Sequence, residues 1–495
     1  HVLSRFGYWH DLGLAYWGTG NPAYAKDFVS LLTQWVQANP VPGEVSNSRG
    51  KNGSVWRTLE AGVRSQSWFE SMETFMDAPE FDAEAKYLMT RSLVEHAHYL
   101  SAWLTVYRHG NWQVCESAGL ATVGIMLPEF KESASWRAQG FKFLVDHMQQ
   151  DVAPDGAHWE LTPGYHSWVM NEFLGVSLLC KANGIQVPGL MSRHEKMFEF
   201  LEAISRPNRT YPPVGDAGIG TATIGDSMGR GALLYDRPDF RYLAGASCRE
   251  DWLWLFGPEV CSQFEALASR PPAFNSVLLP DAKYAVMRTG WQPDDKYLLF
   301  DCAPWGSSHS HQDRLQVSVF AGRDLIVDPG QCSYDYQPLA RDLRLAGAHN
   351  VVMIDDEEPN IKINPELLAW HTDAQADFVC GRLGTNGLTQ QRSVLFIKNP
   401  GYWVVVDHIL GEGEHTVTRL FHFPIGPAQA DGKAAHTAFT SGMNIRVQAM
   451  DDAALEMRTN LIPTGLVTAE PAPAAAFTSR GKLPQTLCTV LLPYA

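Results

Sequence analysis

Between Ser308 and Asn350 the chain carries Ser308-His309-Ser310-His311-Gln312-Asp313, then Asp328-Pro329-Gly330, then His349-Asn350. If the first run is a strand, His309 and His311 project to one face and Ser310 to the other, so both imidazoles reach one site. Two or three histidines with a carboxylate and no cysteine suit a zinc ion. The same residues equally serve as strand-end polar groups bonded to backbone. A second segment, Asp155 to His166, ends in a Pro163-Gly164 turn that delivers Tyr165 to the start of a helix. There the positive end of the helix dipole favours a phenolate, and a tyrosine beside a cation can take and return a proton; the alternative role is simple ring packing. In His109-Gly110-Asn111-Trp112, Asn111 is suited to cap a helix or to donate its amide to a carboxylate. Arg57, Glu60 and Arg64 recur at three- and four-residue spacing, either as an ion-pair ladder or as cations lining a cleft.

The elements that must position these groups change character along the chain. Before about residue 270, apolar residues recur at helical spacing, as in Phe28, Leu31, Leu32 and Trp35 after the cap-and-proline pair Asn21-Pro22. Similar signals at 55–75, 83–104, 113–126, 134–148, 165–182 and 190–204 predict an array of helical hairpins. After Pro271-Pro272 come short β-branched runs bounded by Gly, Pro, Asn and Asp, predicting mostly antiparallel strands. A helical block followed by a strand block implies segregated domains, 1–270 and 271–495, and not a βαβ sheet. The low-complexity stretch from Pro463 to Phe477 reads as a loop. Ten of the 16 tryptophans fall in the first 168 residues, as core packing or as flat faces lining a glycan cleft.

Composition limits the partners. The 495 residues are 45% hydrophobic and 19% charged, an ordinary globular balance, and no apolar run approaches a membrane span. The first residues lack the features of a signal peptide, so the numbering starts inside a mature or truncated chain. Lys+Arg 39 against Asp+Glu 54 gives −15, which repels nucleic acid and anionic membranes and obliges any polyanionic substrate to find a local basic cleft. The eight cysteines form no CxxC pair and read mostly as buried thiols. There is no Walker loop, dinucleotide fingerprint, GxSxG elbow or HExxH.

In this order the segments WRTLEAGVR, GNWQVCESAGL, WELTPGYHSW, PPVGDAG, SHSHQDRLQVSVFAGRDLIVDPG and HNVVMID resemble the heparinase II/III-like polysaccharide lyases, over about Phe6 to Asp355. The resemblance implies an α+β two-domain fold, an incomplete (α/α) toroid of helical hairpins followed by an antiparallel β-sandwich. It implies β-elimination at a uronate of a glycosaminoglycan such as heparan sulfate or heparin. Carried over by motif, Tyr165 is the base and acid, and Asn111 and His309 neutralise the uronate carboxylate. His311, Asp328 and His349 would hold one divalent metal, zinc by ligand chemistry, in a structural role. Arg57, Arg64, Trp112, Glu116, His166 and Tyr336, or Tyr334 in place of Tyr336, are the expected substrate contacts. Trp112 stands where several relatives carry histidine, so a base for an epimeric uronate is absent there. The partner would be an anionic polysaccharide, with neither nucleic acid nor membrane, and the location periplasmic or secreted. Other readings are an alginate or other uronate lyase, an inverting glycoside hydrolase using Glu116, Glu160 and Asp216, and a non-catalytic glycan-binding protein.

Overall fold

The computed structural model describes residues 2–43, 55–104, 109–218, 222–249, 251–385 and 387–495. Helices fill the first part: α1 (Tyr8–Thr19), α2 (Pro22–Ala38), α3 (Thr58–Phe75), α4 (Ala83–Trp103), α5 (Asn111–Met126), α6 (Ser133–Gln150) and α7 (Pro163–Ala182). The start of α2 is as the sequence predicts, with Asn21 accepting from Ala23 N–H at 3.0 Å and proline in the first turn. Asp82 caps α4 in the same way. Shorter helices continue to Val260–Ala266, and strands begin at Val277, so the helical part precedes the antiparallel strands as expected.

Compactness divides the chain differently from the change of period. One unit comprises 1–152 and 168–194, the other 153–167 and 195–495. The reason lies in buried donors of the strands that bind helical-region carbonyls. Arg288 donates to Ala203 O and Ser205 O, Tyr297 to Ile204 O, and Tyr284 to Leu161 O.

In the first unit Trp9, Phe28, Leu32, Trp68, Phe75, Leu93 and Leu120 share one core. The α3 and α5 helices touch backbone to backbone: a Cβ on Gly62 would lie 2.5 Å from Cys115 O, and one on Gly119 would lie 2.4 Å from Gly62 O. Tryptophan here is mainly packing, with Trp9, Trp68 and Trp136 fully buried.

The second unit contains a five-stranded antiparallel sheet in the order β1 (Val277–Leu279), β2 (Tyr284–Arg288), β3 (Lys296–Asp301), β4 (Val317–Ala321) and β5 (Asp324–Ile326). An eight-stranded and a four-stranded antiparallel sheet complete it. All three contribute to one core: Leu298 and Phe300 from the first, Val394, Phe396 and Trp403 from the second, Phe421 and Phe477 from the third. The stretch expected to be a loop is strand instead, the hairpin Ala454–Gly465 and Thr468–Lys482. Its small residues Ala472 and Ala474 to Ala476 are buried, and Pro471 and Pro473 lie beyond the end of pairing with Glu414–His422, where a missing N–H costs no ladder bond on that side.

A fully buried pair ties this core to the loop that follows β3. Arg392 and Asp407 face each other across two strands, with Nε to Oδ1 at 2.7 Å and Nη2 to Oδ2 at 3.1 Å, and Arg392 Nη1 also donates to Leu315 O and Asn350 O. Removing one member leaves the other charge buried alone. Asp407→Ala should therefore lower stability by about 3–5 kcal/mol in urea unfolding.

Candidate active site and metal centre

The histidine motif is not a strand. Residues 302–316 form a loop between β3 and β4, closed by Leu315 N–H to Asp301 O at 2.7 Å and Asp301 N–H to Gln316 O at 3.0 Å. Within it Ser310 Oγ accepts from Gly306 N–H and Ser307 N–H, and Ser307 Oγ accepts from His309 N–H. These turns, not alternation along a strand, bring both imidazoles to one carboxylate.

That carboxylate is Asp216. Its Oδ2 lies 2.8 Å from His309 Nδ1, accepts from the Tyr334 hydroxyl at 2.8 Å and is bonded by Arg344 Nη2. Its Oδ1 lies 2.9 Å from His311 Nε2 and accepts from Gln331 Nε2 at 3.1 Å. The backbone joins in, Asp216 N–H donating to His309 O, and the approach is so close that a Cβ on Gly215, at φ 58°, would sit 2.8 Å from that oxygen. Burial alone would raise the Asp216 pKa, but hydrogen bonds from His309 and His311, with the charges of His311 and Arg344, hold it far below the usual carboxylate range. Asp216 is a fixed anion and cannot serve as a proton donor.

Tyr165 stands at the start of α7, its ring stacked on His309 at 3.9 Å between centroids and its hydroxyl 2.9 Å from that of Tyr334. The phenol pKa is raised, first by burial and then by Asp216 and Glu160, while the Tyr334 hydrogen bond and Arg344 pull it down. Tyr334 is raised further, by burial and by Asp216. Glu160 Oε1 lies 4.0 Å from His309 Nε2. The Nδ1–Asp216 contact favours the Nδ1–H tautomer of His309 and leaves Nε2 on the side chain's 15% exposed edge.

On the other side of Asp216, His311, Asp313 and His349 are buried and each offers a ligand atom within 4.8 Å of the others. His311 Nδ1 is a buried nitrogen without a hydrogen-bond partner, which is the condition of a ligand facing an ion. Asp328, the carboxylate expected from the sequence, has Oδ2 3.0 Å from His349 Nδ1 and 2.7 Å from Gln316 Nε2, and Oδ1 accepts from Gly330 N–H. Asp313 joins the geometric triad because the 302–316 loop turns it inward, beside His311. Burial raises the Asp313 pKa, and the charge of Asp328 adds to the rise; the His349 pKa is raised by Asp328 against the effect of burial. The residues present fit a small divalent cation.

Several expected substrate contacts have other work. His166 is buried, its Nδ1 accepting from His158 N–H and its Nε2 donating to Met197 O, so both nitrogens serve the backbone. Tyr334, not Tyr336, reaches the cluster, and neither Arg344 nor Gln331 is singled out by its sequence context. In the first unit Arg64 is fully buried under Trp35 and Trp56, with Nε to His96 Nε2 at 2.7 Å and Nη1 donating to Ser4 O and Val55 O. It is a core cation, and burial brings its pKa down to about 9. Arg57 precedes α3, pairs with Glu60 and lies over the Trp112 ring at 5.1 Å, leaving a partly exposed cation on an aromatic face. Gly110, at φ 94°, occupies the cap position and Asn111 is the buried first residue of α5. Glu116 is buried and bonded by Thr58 Oγ1; burial, aided by the charge of Glu60, lifts its pKa to about 8.

The one disulfide among the described residues joins Cys248 and Cys261; Cys115, Cys180, Cys302, Cys332 and Cys380 are buried thiols, as expected, and Cys488 is a partly exposed one.

A helical first part, three antiparallel sheets and a tyrosine–histidine–carboxylate cluster define the class. The chain belongs to the heparinase II/III family: the heparinase II/III N-terminus matches residues 1–242 and the heparinase II/III-like C-terminal region matches 271–487. A heparin-sulfate lyase of Pedobacter heparinus is 26% identical over 469 residues, 91% of this chain and 66% of that protein. One of Bacteroides thetaiotaomicron is 25% identical, over 90% of this chain and 65% of its own length. The chain thus spans just under two thirds of these relatives. A crystal structure of heparinase III shares the fold with a TM-score of 0.84, at 22% identity over 99% of this chain and 76% of the other.

Glu116 provides a test of the burial described here. Its folded pKa, about 8, exceeds the ordinary 4.5, so its contribution to stability is full below pH 4.5 and is lost as pH rises through about 8. Glu116→Gln keeps an oxygen for Thr58 and should raise the melting temperature relative to wild type at pH 9 while leaving it unchanged at pH 4, by thermal-shift measurement.

Proposed function

We propose that the chain is a polysaccharide lyase that cleaves a uronate-containing glycosaminoglycan of heparan sulfate type by β-elimination. The observation that carries this reading is the chain of contacts from the Tyr165 hydroxyl to Tyr334 to Asp216, with His309 stacked on Tyr165 and bonded to the same carboxylate. The activity printed for the similar lyases of Pedobacter heparinus and Bacteroides thetaiotaomicron supports it.

The chemistry follows from the residues. The C5 proton of a uronate is weakly acidic until its carboxylate is neutralised; His309, oriented by its contact with Asp216, and Asn111 take the neutralising roles that the family resemblance assigns to them. Tyr165, as the phenolate formed by loss of its hydroxyl proton to solvent, takes the C5 proton and becomes a phenol. The hydrogen bond from Tyr334 and the positive charge of Arg344, the two influences that already lower the Tyr165 pKa, stabilise that phenolate before the transfer. The C5–H electron pair forms the C4–C5 double bond, the C4–O4 bond breaks, and Tyr165 returns the proton to the departing O4. The tyrosine ends as it began, a phenolate.

One divalent ion, zinc by its imidazole and carboxylate ligands, would be held by His311, Asp328 and His349 with Asp313. Four protein ligands make a closed, structural site. When bound, the ion supplies a rigid joint between the histidine loop and the His349 segment, and elimination needs no activated water. The Cys248–Cys261 disulfide supports a periplasmic or secreted location.

Wild type should release unsaturated uronate, read by ultraviolet absorbance, from heparan sulfate in a panel with heparin, chondroitin sulfate, hyaluronan and alginate. Tyr165→Phe should lose at least about 10²-fold in rate while still binding substrate; a near-normal rate would remove the mechanism. Elemental analysis should find one zinc per chain, lost in His311→Ala, and chelation should lower the melting temperature. A metal-free wild type of full stability would remove the metal site.

A further inference from the structure

Tyr334 and Arg344 approach Asp216 from one segment, 332–348, which has little regular structure of its own: a four-residue helix, Leu339–Asp342, and a turn at Ala346–Ala348. Tyr334 is 48% exposed, so core packing does not fix its position. The hairpin 454–482 lies against this segment. Ser333 N–H donates to Leu466 O at 2.9 Å, and Ala469 packs on the cluster of Cys332, Leu339, Ala340 and Leu343. Further along, Asn460 Nδ2 is 3.0 Å from His422 Nδ1, whose ring Nε2 is 3.1 Å from His349 O. A cavity of about 350 Å³ lies between Asn460 and its neighbours and the residues around Leu343. Contact is thus concentrated at the hairpin tip and at Asn460. The tip adds nothing to the sheet core, since Leu466 and Val467 are 68% and 60% exposed.

We propose that this hairpin is a positioning element: its tip fixes the 332–348 segment so that Tyr334 and Arg344 meet Asp216, and through Tyr334 it sets the hydroxyl of Tyr165. The proposal rests on the lyase reading for its kinetic consequence and on the contacts alone for its structural one. Misplacing a reacting group by about 1 Å can cost about 10²-fold in rate, so a tether this far from the chemistry has leverage on turnover.

Two variants test it in the full chain. Ser333→Pro removes the donor to Leu466, and Ala469→Asp places a charge against the apolar cluster; Ala469→Ser is the conservative control. Hydrogen exchange by mass spectrometry should show amides of 332–348 exchanging about tenfold faster or more in the first two variants, with the five-stranded sheet unchanged. Their kcat should fall about tenfold with KM within about twofold, and Ala469→Ser should match wild type on both readouts. Unchanged exchange in 332–348, or faster exchange with an unchanged kcat, overturns the proposal. If wild type eliminates no uronate from any glycan, the lyase reading fails by itself, and the exchange result alone upholds or overturns the tether.

Discussion

The candidate site is organised around one negative charge. Asp216 accepts from two imidazoles, a phenol, a guanidinium and an amide, and these donors come from separate stretches of the same unit: the loop before β4, the turn after Asp328, and the segment leading to His349. Each donor is oriented because the carboxylate is, and the carboxylate stays ionised because the donors surround it. One oxygen faces Tyr334, Arg344 and His309, on the side of Tyr165; the other faces His311 of the buried His311, Asp313 and His349 cluster. A single side chain thereby couples the geometry of the two halves of the site.

The local signals of helices were legible because they depend on neighbours a few residues away. The cap at Asn21, the proline after it and the spacing of Phe28 and Leu32 give α2 directly, and the change from helical to alternating spacing marks where strands begin. The family pattern was legible for the same reason: PGYH, HSHQD and DPG are each contiguous. What escaped is non-local. Asp216 is 93 residues from His309 and 128 from Arg344, and only its place in PPVGDAG hints at it. Spacing also misjudged the histidine motif, since two serine hydroxyls that cap turns give the alternation HSH a different cause from a strand. The alanine- and proline-rich stretch looked featureless, yet small residues are what a strand buried between two neighbours can accommodate.

Charge was the least transferable clue. Arg57 and Arg64 lie one helical face apart by count, yet Arg57 begins the helix over an indole while Arg64 turns into a cage of tryptophans and a histidine. Nothing within a window of seven residues separates a cation that meets solvent from one that holds the core. His166 shows the same limit: beside a tyrosine in the site, its own two nitrogens belong to the backbone.

The glycine contact between α3 and α5 bears on how this scaffold can diversify. Because Gly62 and Gly119 leave no room for a methyl group, the two helices cannot slide or separate without losing their packing. Variation on that face is confined to side chains at the helix starts, where Arg57 lies over the Trp112 ring on an otherwise fixed frame. New surface chemistry there would arise by exchanging such decorations one at a time, while the spacing of the helices stays unchanged.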